Sequence, residues 1–181
     1  MSERISLRSV DIAYIAIGAA LMAVCSWISI PTAVPFTLQT FAVFFVLLAL
    51  GGERGTLSIA VYVIMGAVGL PVFSGFKGGV GALLGNTGGY IIGFIFMGLI
   101  YMLITKVAGD KLVTEIIALS AGLIGCYAFG TAWFMYVYMR QTGPVGVMTV
   151  LSWCVFPFII WDAAKMALAL AISRRVRFII K

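Results

Sequence analysis

The chain has 181 residues, of which 63% are hydrophobic and 10% charged, with a formal net charge of +6 and a mean hydropathy of +1.16. Such a composition excludes an ordinary soluble globular domain and indicates an integral membrane protein. Because the chain contains no histidine, Ser-His-Asp and Cys-His catalytic arrangements are also excluded.

Six apolar segments predict membrane-spanning helices near residues 11–30, 36–50, 55–70, 88–107, 112–138 and 146–173. Pro31 and Pro35 separate the first two, since proline and the residue before it do not continue a helix. The second segment would span only about 22 Å, so neighbouring helices must shelter it or the bilayer must thin there. We therefore expect one all-α, six-span membrane domain over residues 1–181.

The basic residues predict how this domain lies in the membrane. One side receives Arg4, Arg8, Arg54, Lys106, Lys111, Arg174, Arg175, Arg177 and Lys181, and the other receives Lys77 and Arg140. By the positive-inside rule, both termini face the cytoplasm. We expect a multi-pass protein of the plasma (inner) membrane, in contact with the lipid bilayer. The positive charge is explained by topology, so no nucleic-acid partner is expected.

The first span carries two overlapping pairs of small residues, Ala16 with Ala20 and Ala19 with Ala23. Small residues one helical turn apart let another helix approach closely. Packing inside the domain and contact with another protein both remain open.

A glycine-rich segment, residues 69–90, connects the third and fourth spans and has glycine at eight of its 22 positions. Irregular backbone at membrane depth is tolerated where it is buried or lines a cavity. The segment therefore favours a pocket wall or lid over a plain extracellular connection. It lacks the lysine of a phosphate-binding loop, so the chain is not expected to hydrolyse ATP by itself.

Asp162 and Lys165 lie inside the last apolar segment. Charges within a span are costly unless paired or hydrated, and their i, i+3 spacing places both on one helix face. This pair is the first candidate for a ligand site, and an ion pair that only fixes packing is the alternative. The other polar candidates are Gln39, Thr40, Asn86 and Tyr90.

Cys25, Cys126 and Cys154 lie in separate apolar segments without C-x-x-C spacing. We expect all three to be small buried hydrophobic residues. We expect no metal site and no cofactor.

Several motifs, in order, resemble the BioY family, the biotin-specific S component of energy-coupling factor (ECF) transporters. They are Ile28-Ser-Ile-Pro31 with Val34-Pro-Phe-Thr-Leu-Gln-Thr40, Gly69-Leu-Pro-Val-Phe-Ser-Gly75, Gly78-Gly-Val-Gly-Ala-Leu-Leu-Gly85 with Thr87-Gly-Gly-Tyr90, and Asp162-Ala-Ala-Lys165. The resemblance covers nearly the whole chain. It implies a six-helix S-component fold that binds biotin near the outer face and docks on a transmembrane coupling protein driven by two ATPases.

The expected ligand-binding set combines the charged pair, the polar candidates and two glycines of the glycine-rich segment: Asp162, Lys165, Asn86, Tyr90, Gly81, Gly85, Gln39 and Thr40. The resemblance implies that Ala16 and Ala20 contact the coupling protein. Biotin has ureido N–H donors that Asp162 can accept. Lys165 can donate to the ureido carbonyl or neutralise the carboxylate tail.

Two departures from the family pattern are visible. Ile160-Trp161 stands where Pro-Gly is expected, so the last helix should be less broken there. Asn86 replaces a proline and is expected either to bind ligand or to cap the fourth helix.

Two other classes of function remain. A stand-alone secondary transporter of a small vitamin-like metabolite could use Asp162 as a proton acceptor. A membrane enzyme has no nucleophile–base pair or metal cluster to support it, and enzymatic activity is not expected.

Overall fold

The computed structural model describes residues 8–31 and 34–180. The helices are α1 Ser9–Trp27, α2 Gln39–Leu50, α3 Gly52–Ala67, α4 Val80–Leu84, α5 Gly88–Ala108, α6 Leu112–Gln141, α7 Val147–Cys154 and α8 Phe156–Ile180. Two short antiparallel strands, β1 Ser29–Ile30 and β2 Phe36–Thr37, pair in the register Ser29 with Thr37 and Ile30 with Phe36. A 3-10 turn covers Ser74–Phe76.

Four stretches within the described residues are long and apolar enough to cross a membrane. They are Ser9–Trp27, Gly88–Ala108, Leu112–Gln141 and Val147–Phe178, which joins α7 to α8. The helix Gln39–Leu50 is apolar but shorter. The protein is therefore a mostly helical chain of membrane type.

The ends of several helices differ from the predicted spans. The first helix stops at Trp27 and the second begins at Gln39, because the residues between them contribute β1 and β2. The third runs Gly52–Ala67 and not 55–70, since Gly51 has φ +83° and ends α2 where α3 starts. Glycine adopts this left-handed conformation at low cost.

The last predicted span, 146–173, is two helices that meet at Val155. Pro157 causes the break, since its ring would clash with the carbonyl four residues earlier and it has no N–H to donate. Proline is well accommodated in the first turn of a helix, which is where α8 has it.

Helix α2 lies at the centre of the fold, in contact with α1, α3, α5 and α8. Val43, Phe44 and Leu47 are 0% exposed. At 12 residues it is about 18 Å long. Of the two alternatives for the short second segment, neighbouring helices or a thinned bilayer, the structure shows shelter by neighbouring helices.

Helices α5 and α6 pack along each other over much of their length. Gly122 shows how close they are, because a Cβ there would lie 2.7 Å from Cγ of Met97. Close helix approach through small residues is typical of packing in membranes.

Ion pairs join the helices at one end of the molecule. Arg54 on α3 contacts Asp11 on α1 at 2.8 Å, and Arg177 on α8 contacts Glu115 on α6 at 2.5 Å. Arg177 Nε also donates to the carbonyl of Leu48, at the end of α2. The starts of α1, α3 and α6 and the ends of α2 and α8 therefore lie together.

Candidate ligand-binding site

A cavity of about 710 Å³ lies at the other end of the molecule, between the start of α2, the start of α5, the middle of α6 and the early turns of α8. Its size falls in the range of small-molecule sites. All eight residues predicted to bind ligand line it: Gln39, Thr40, Gly81, Gly85, Asn86, Tyr90, Asp162 and Lys165.

Asp162 and Lys165 form a buried ion pair that faces this cavity. Lys165 Nζ lies 2.9 Å from Asp162 Oδ1, and the two residues are 7% and 1% exposed. The hydroxyl of Thr40 donates to the same oxygen at 2.7 Å and accepts from Lys165 at 2.9 Å. Because the pair both neutralises itself and lines the cavity, its packing role and its ligand role are compatible.

Tyr127 on α6 completes the network, donating its hydroxyl to Asp162 Oδ2 at 2.5 Å. The sequence analysis did not identify this residue. A hydroxyl buried in an apolar helix requires a partner, which is the one signal that could have singled it out.

Phe36 was also missed. Its ring lies 4.5 Å from Lys165 Nζ, in a cation–π contact, and stacks on Phe158. The β1–β2 pairing brings Phe36 to α8. The ring adds attraction for the buried ammonium group.

Helix α8 is continuous through Ile160 and Trp161, as predicted from the absence of Pro-Gly. Both side chains are exposed, at 77% and 59%, whereas Asp162 is buried. The carboxylate therefore points inward from a regular helical turn.

The glycine-rich segment forms one wall of the cavity, through residues that include Phe73, Gly78 and Gly81. Phe73 and Lys77 exchange backbone hydrogen bonds of 2.9 and 3.3 Å around a turn with Gly75 at φ +70°. A Cβ on Gly78 would overlap the carbonyl of Leu70, so only glycine fits there.

The C-terminal end of α1 holds this segment. Ser26 Oγ donates to the carbonyl of Val72 at 2.5 Å, and Trp27 Nε1 donates to that of Pro71 at 2.8 Å. The Trp27 ring also stacks on Phe76, with 5.2 Å between centroids. The cavity wall is thus attached to the first helix.

Three further predicted residues differ in the hydrogen-bond partners of their side chains. Gln39 donates to the hydroxyl of Tyr62 at 2.6 Å, and the Tyr90 hydroxyl lies 3.1 Å from that of Thr131. Asn86 Oδ1 is buried and has no hydrogen-bond partner in the described part of the chain. Thr87 occupies the N-cap position of α5, without a side-chain capping hydrogen bond. Because Asn86 Oδ1 accepts from no N–H of that helix, the capping alternative for Asn86 is wrong.

The small residues of α1 face two ways. Ala19 and Ala23 are buried, at 1% and 5% exposure, and pack inside the domain. Ala16 and Ala20 are exposed on the outer surface of the helix. The two pairs left open by the sequence therefore have different surroundings.

Cys25, Cys126 and Cys154 are buried free thiols, as expected for small apolar residues. Cys126 and Cys154 line the cavity. All three thiols pack in buried apolar clusters.

The fold and the site together define a helical integral membrane protein with a small-molecule cavity at one end. The chain belongs to the BioY family, whose model matches residues 1–181. The biotin transporter BioY of Thermotoga maritima is 40% identical over 164 residues, covering 89% of this chain and 92% of the relative. The probable biotin transporter BioY of Pyrococcus horikoshii is 37% identical over 174 residues, covering 94% and 98%.

The fold is also similar to a crystal structure of the S-component for biotin from an ECF-type ABC transporter. The TM-score is 0.81 with 26% sequence identity, and the match covers 97% of this chain and 95% of that one.

Proposed function

We propose that this chain is the substrate-binding membrane component of a biotin uptake transporter. It captures biotin at the outer face for import driven by an associated module of a transmembrane coupling protein and two ATPase subunits. The observation that carries the proposal is the buried network of Asp162, Lys165, Thr40 and Tyr127 facing a cavity of about 710 Å³. Membership of a family of transport proteins makes the chain a transport component and not an enzyme.

The cavity offers partners for the ureido N–H groups and for the sulfur-containing ring of biotin. Each oxygen of an ionised carboxylate accepts more than one hydrogen bond, so Asp162 Oδ2 can accept a ureido N–H beside the Tyr127 hydroxyl. Asn86 Oδ1 is a second buried acceptor, for the other ureido N–H. Ile91 and Phe94 give apolar surface for the sulfur-containing ring.

The proposed membrane arrangement has six spans, α1, α2, α3, α5, α6 and the α7–α8 pair, with both termini in the cytoplasm. Support comes from Arg8, Arg54 and Arg177, which belong to the end of the molecule opposite the cavity. In this orientation the cavity faces the outside of the membrane. The glycine-rich segment between α3 and α5 lies over it on that side.

The coupling protein is proposed to contact α1 at Ala16 and Ala20. Both are exposed, whereas the opposite face of α1, with Ala19 and Ala23, is buried. Two small exposed residues one turn apart form a shallow groove that suits a partner helix.

The test is calorimetric titration of biotin into the purified protein, with Asp162→Asn and Lys165→Met. Loss of a hydrogen bond to a charged group should weaken binding at least about tenfold. Wild-type affinity no tighter than about 1 mM would contradict the proposal.

Asp110→Asn and Lys111→Met are matched controls, since they make the same chemical changes at exposed positions between α5 and α6. Lys165→Met leaves the Asp162 charge buried alone, which can cost about 3–5 kcal/mol of folding free energy. The double variant removes both charges together. It should remain folded by thermal melting and still lose biotin affinity.

A further inference from the structure

Lys77 is a third charged residue at the cavity, which the sequence analysis used only to assign an outer side. It lines the cavity from the glycine-rich segment, and its side chain is exposed. The other charged lining residues, Asp162 and Lys165, neutralise each other at 2.9 Å. Lys77 has no ion-pair partner within residues 8–31 and 34–180, so the lining carries one uncompensated positive charge.

The backbone holds Lys77 in a defined place. Its N–H and carbonyl both bond to Phe73, closing a tight turn in which Gly75 and Phe76 have positive φ angles. The turn is fixed to α1 by the stack of Phe76 on Trp27. The ammonium group is therefore carried on an ordered part of the wall.

We propose that Lys77 binds the carboxylate of the ligand at the mouth of the cavity. The inference rests on the proposed function and adds selectivity for charge. The site selects a monoanion whose polar ring lies inside the cavity and whose carboxylate lies at the cavity mouth. Lys165 donates hydrogen bonds to Asp162 and Thr40. It therefore belongs to the network that binds the ureido end of the ligand. A single free cation then matches the single charge of the ligand.

The experiment compares biotin with biotin amide, which has the same rings and chain but no charge. Both are titrated into the wild-type protein and into Lys77→Met, Lys77→Arg and Lys77→Glu variants. The wild type should prefer biotin by about fivefold, the size expected for a partly exposed ion pair. Lys77→Met should abolish this preference by weakening biotin alone, Lys77→Arg should keep it, and Lys77→Glu should reverse it.

Lys106→Met is the matched control, an exposed lysine in the last turn of α5, about 27 Å along that helix from its cavity end. It should leave both affinities unchanged. A Lys77→Met protein that still prefers biotin over the amide overturns the assignment of Lys77 while leaving the proposed function intact. Failure of the wild type to bind either ligand overturns the proposed function and this inference with it.

Discussion

At the scale of single residues, the site combines a hydrogen-bonded polar centre with open space beside it. Asp162 already accepts from Thr40, Lys165 and Tyr127, so it is held in one orientation before any ligand arrives. Such preorganisation lowers the entropy that binding costs. The open space beside the polar centre is lined in part by glycines.

Gly81 is one of these glycines. It lines the cavity, and a Cβ built there would meet no described atom within 4 Å other than its chain neighbours and the backbone of its own helix. We expect Gly81→Ala to bind biotin nearly as the wild type does, and Gly81→Trp to reduce affinity at least about tenfold by filling space that the ligand needs. Titration with biotin measures both.

Gly146→Trp provides the comparison, because Gly146 is also exposed and a Cβ there meets only Thr149 at an ordinary 3.7 Å. It should bind biotin normally. Wild-type affinity in Gly81→Trp would show that the ligand does not occupy the space beside α4.

At the scale of elements, α1 and the glycine-rich segment are held together by side-chain contacts. Trp27 contributes a hydrogen bond to Pro71 and the stack on Phe76. Together these contacts are worth about 2 kcal/mol. Because the segment is proposed to cover the cavity, Trp27→Ala should speed biotin dissociation by about tenfold or more, with a smaller effect on association.

Release of radiolabelled biotin from the purified protein measures this rate. Trp27→Phe, which keeps an aromatic ring but loses the N–H donor, should fall between the wild type and Trp27→Ala. Trp153→Ala is the control, since Trp153 packs on Tyr138 of α6 and not on the segment. Equal dissociation from Trp27→Ala and the wild type would mean that the segment does not retain the ligand.

At the scale of the whole molecule, local sequence signals predicted the long helices and the charged pair. The residues that complete the network around that pair depend on tertiary contacts. The apolar runs predicted the long helices, and the pair Asp162 and Lys165 pointed to the cavity that it lines, because both signals lie within a few residues of sequence. Tyr127 and Phe36 are far from that pair in the chain, and only the packing of α6 and β2 brings them to it. The helix break at Val155 was predictable from Pro157 and was missed.

Helix α1 connects the two surfaces on which transport would depend, since it holds the cavity wall at Trp27 and exposes Ala16 and Ala20 farther down. We expect Ala16→Leu and Ala20→Leu to lower co-purification of the coupling subunit at least about tenfold, because overpacking a close helix contact costs roughly 1–3 kcal/mol. Biotin binding to the isolated protein should be unchanged, since neither residue lines the cavity.

Two comparison variants separate this contact from general effects of size. Ala167→Leu adds the same bulk on an exposed face of α8 and should affect neither assembly nor binding. Ala19→Leu places it at a position 1% exposed, where overpacking should lower the melting temperature of the isolated protein. Because Ala16 and Ala19 lie on different faces of one helix, loss of assembly without loss of stability in Ala16→Leu requires a partner on the exposed face. Full co-purification of that variant would leave this face to lipid and would require the coupling protein to dock elsewhere.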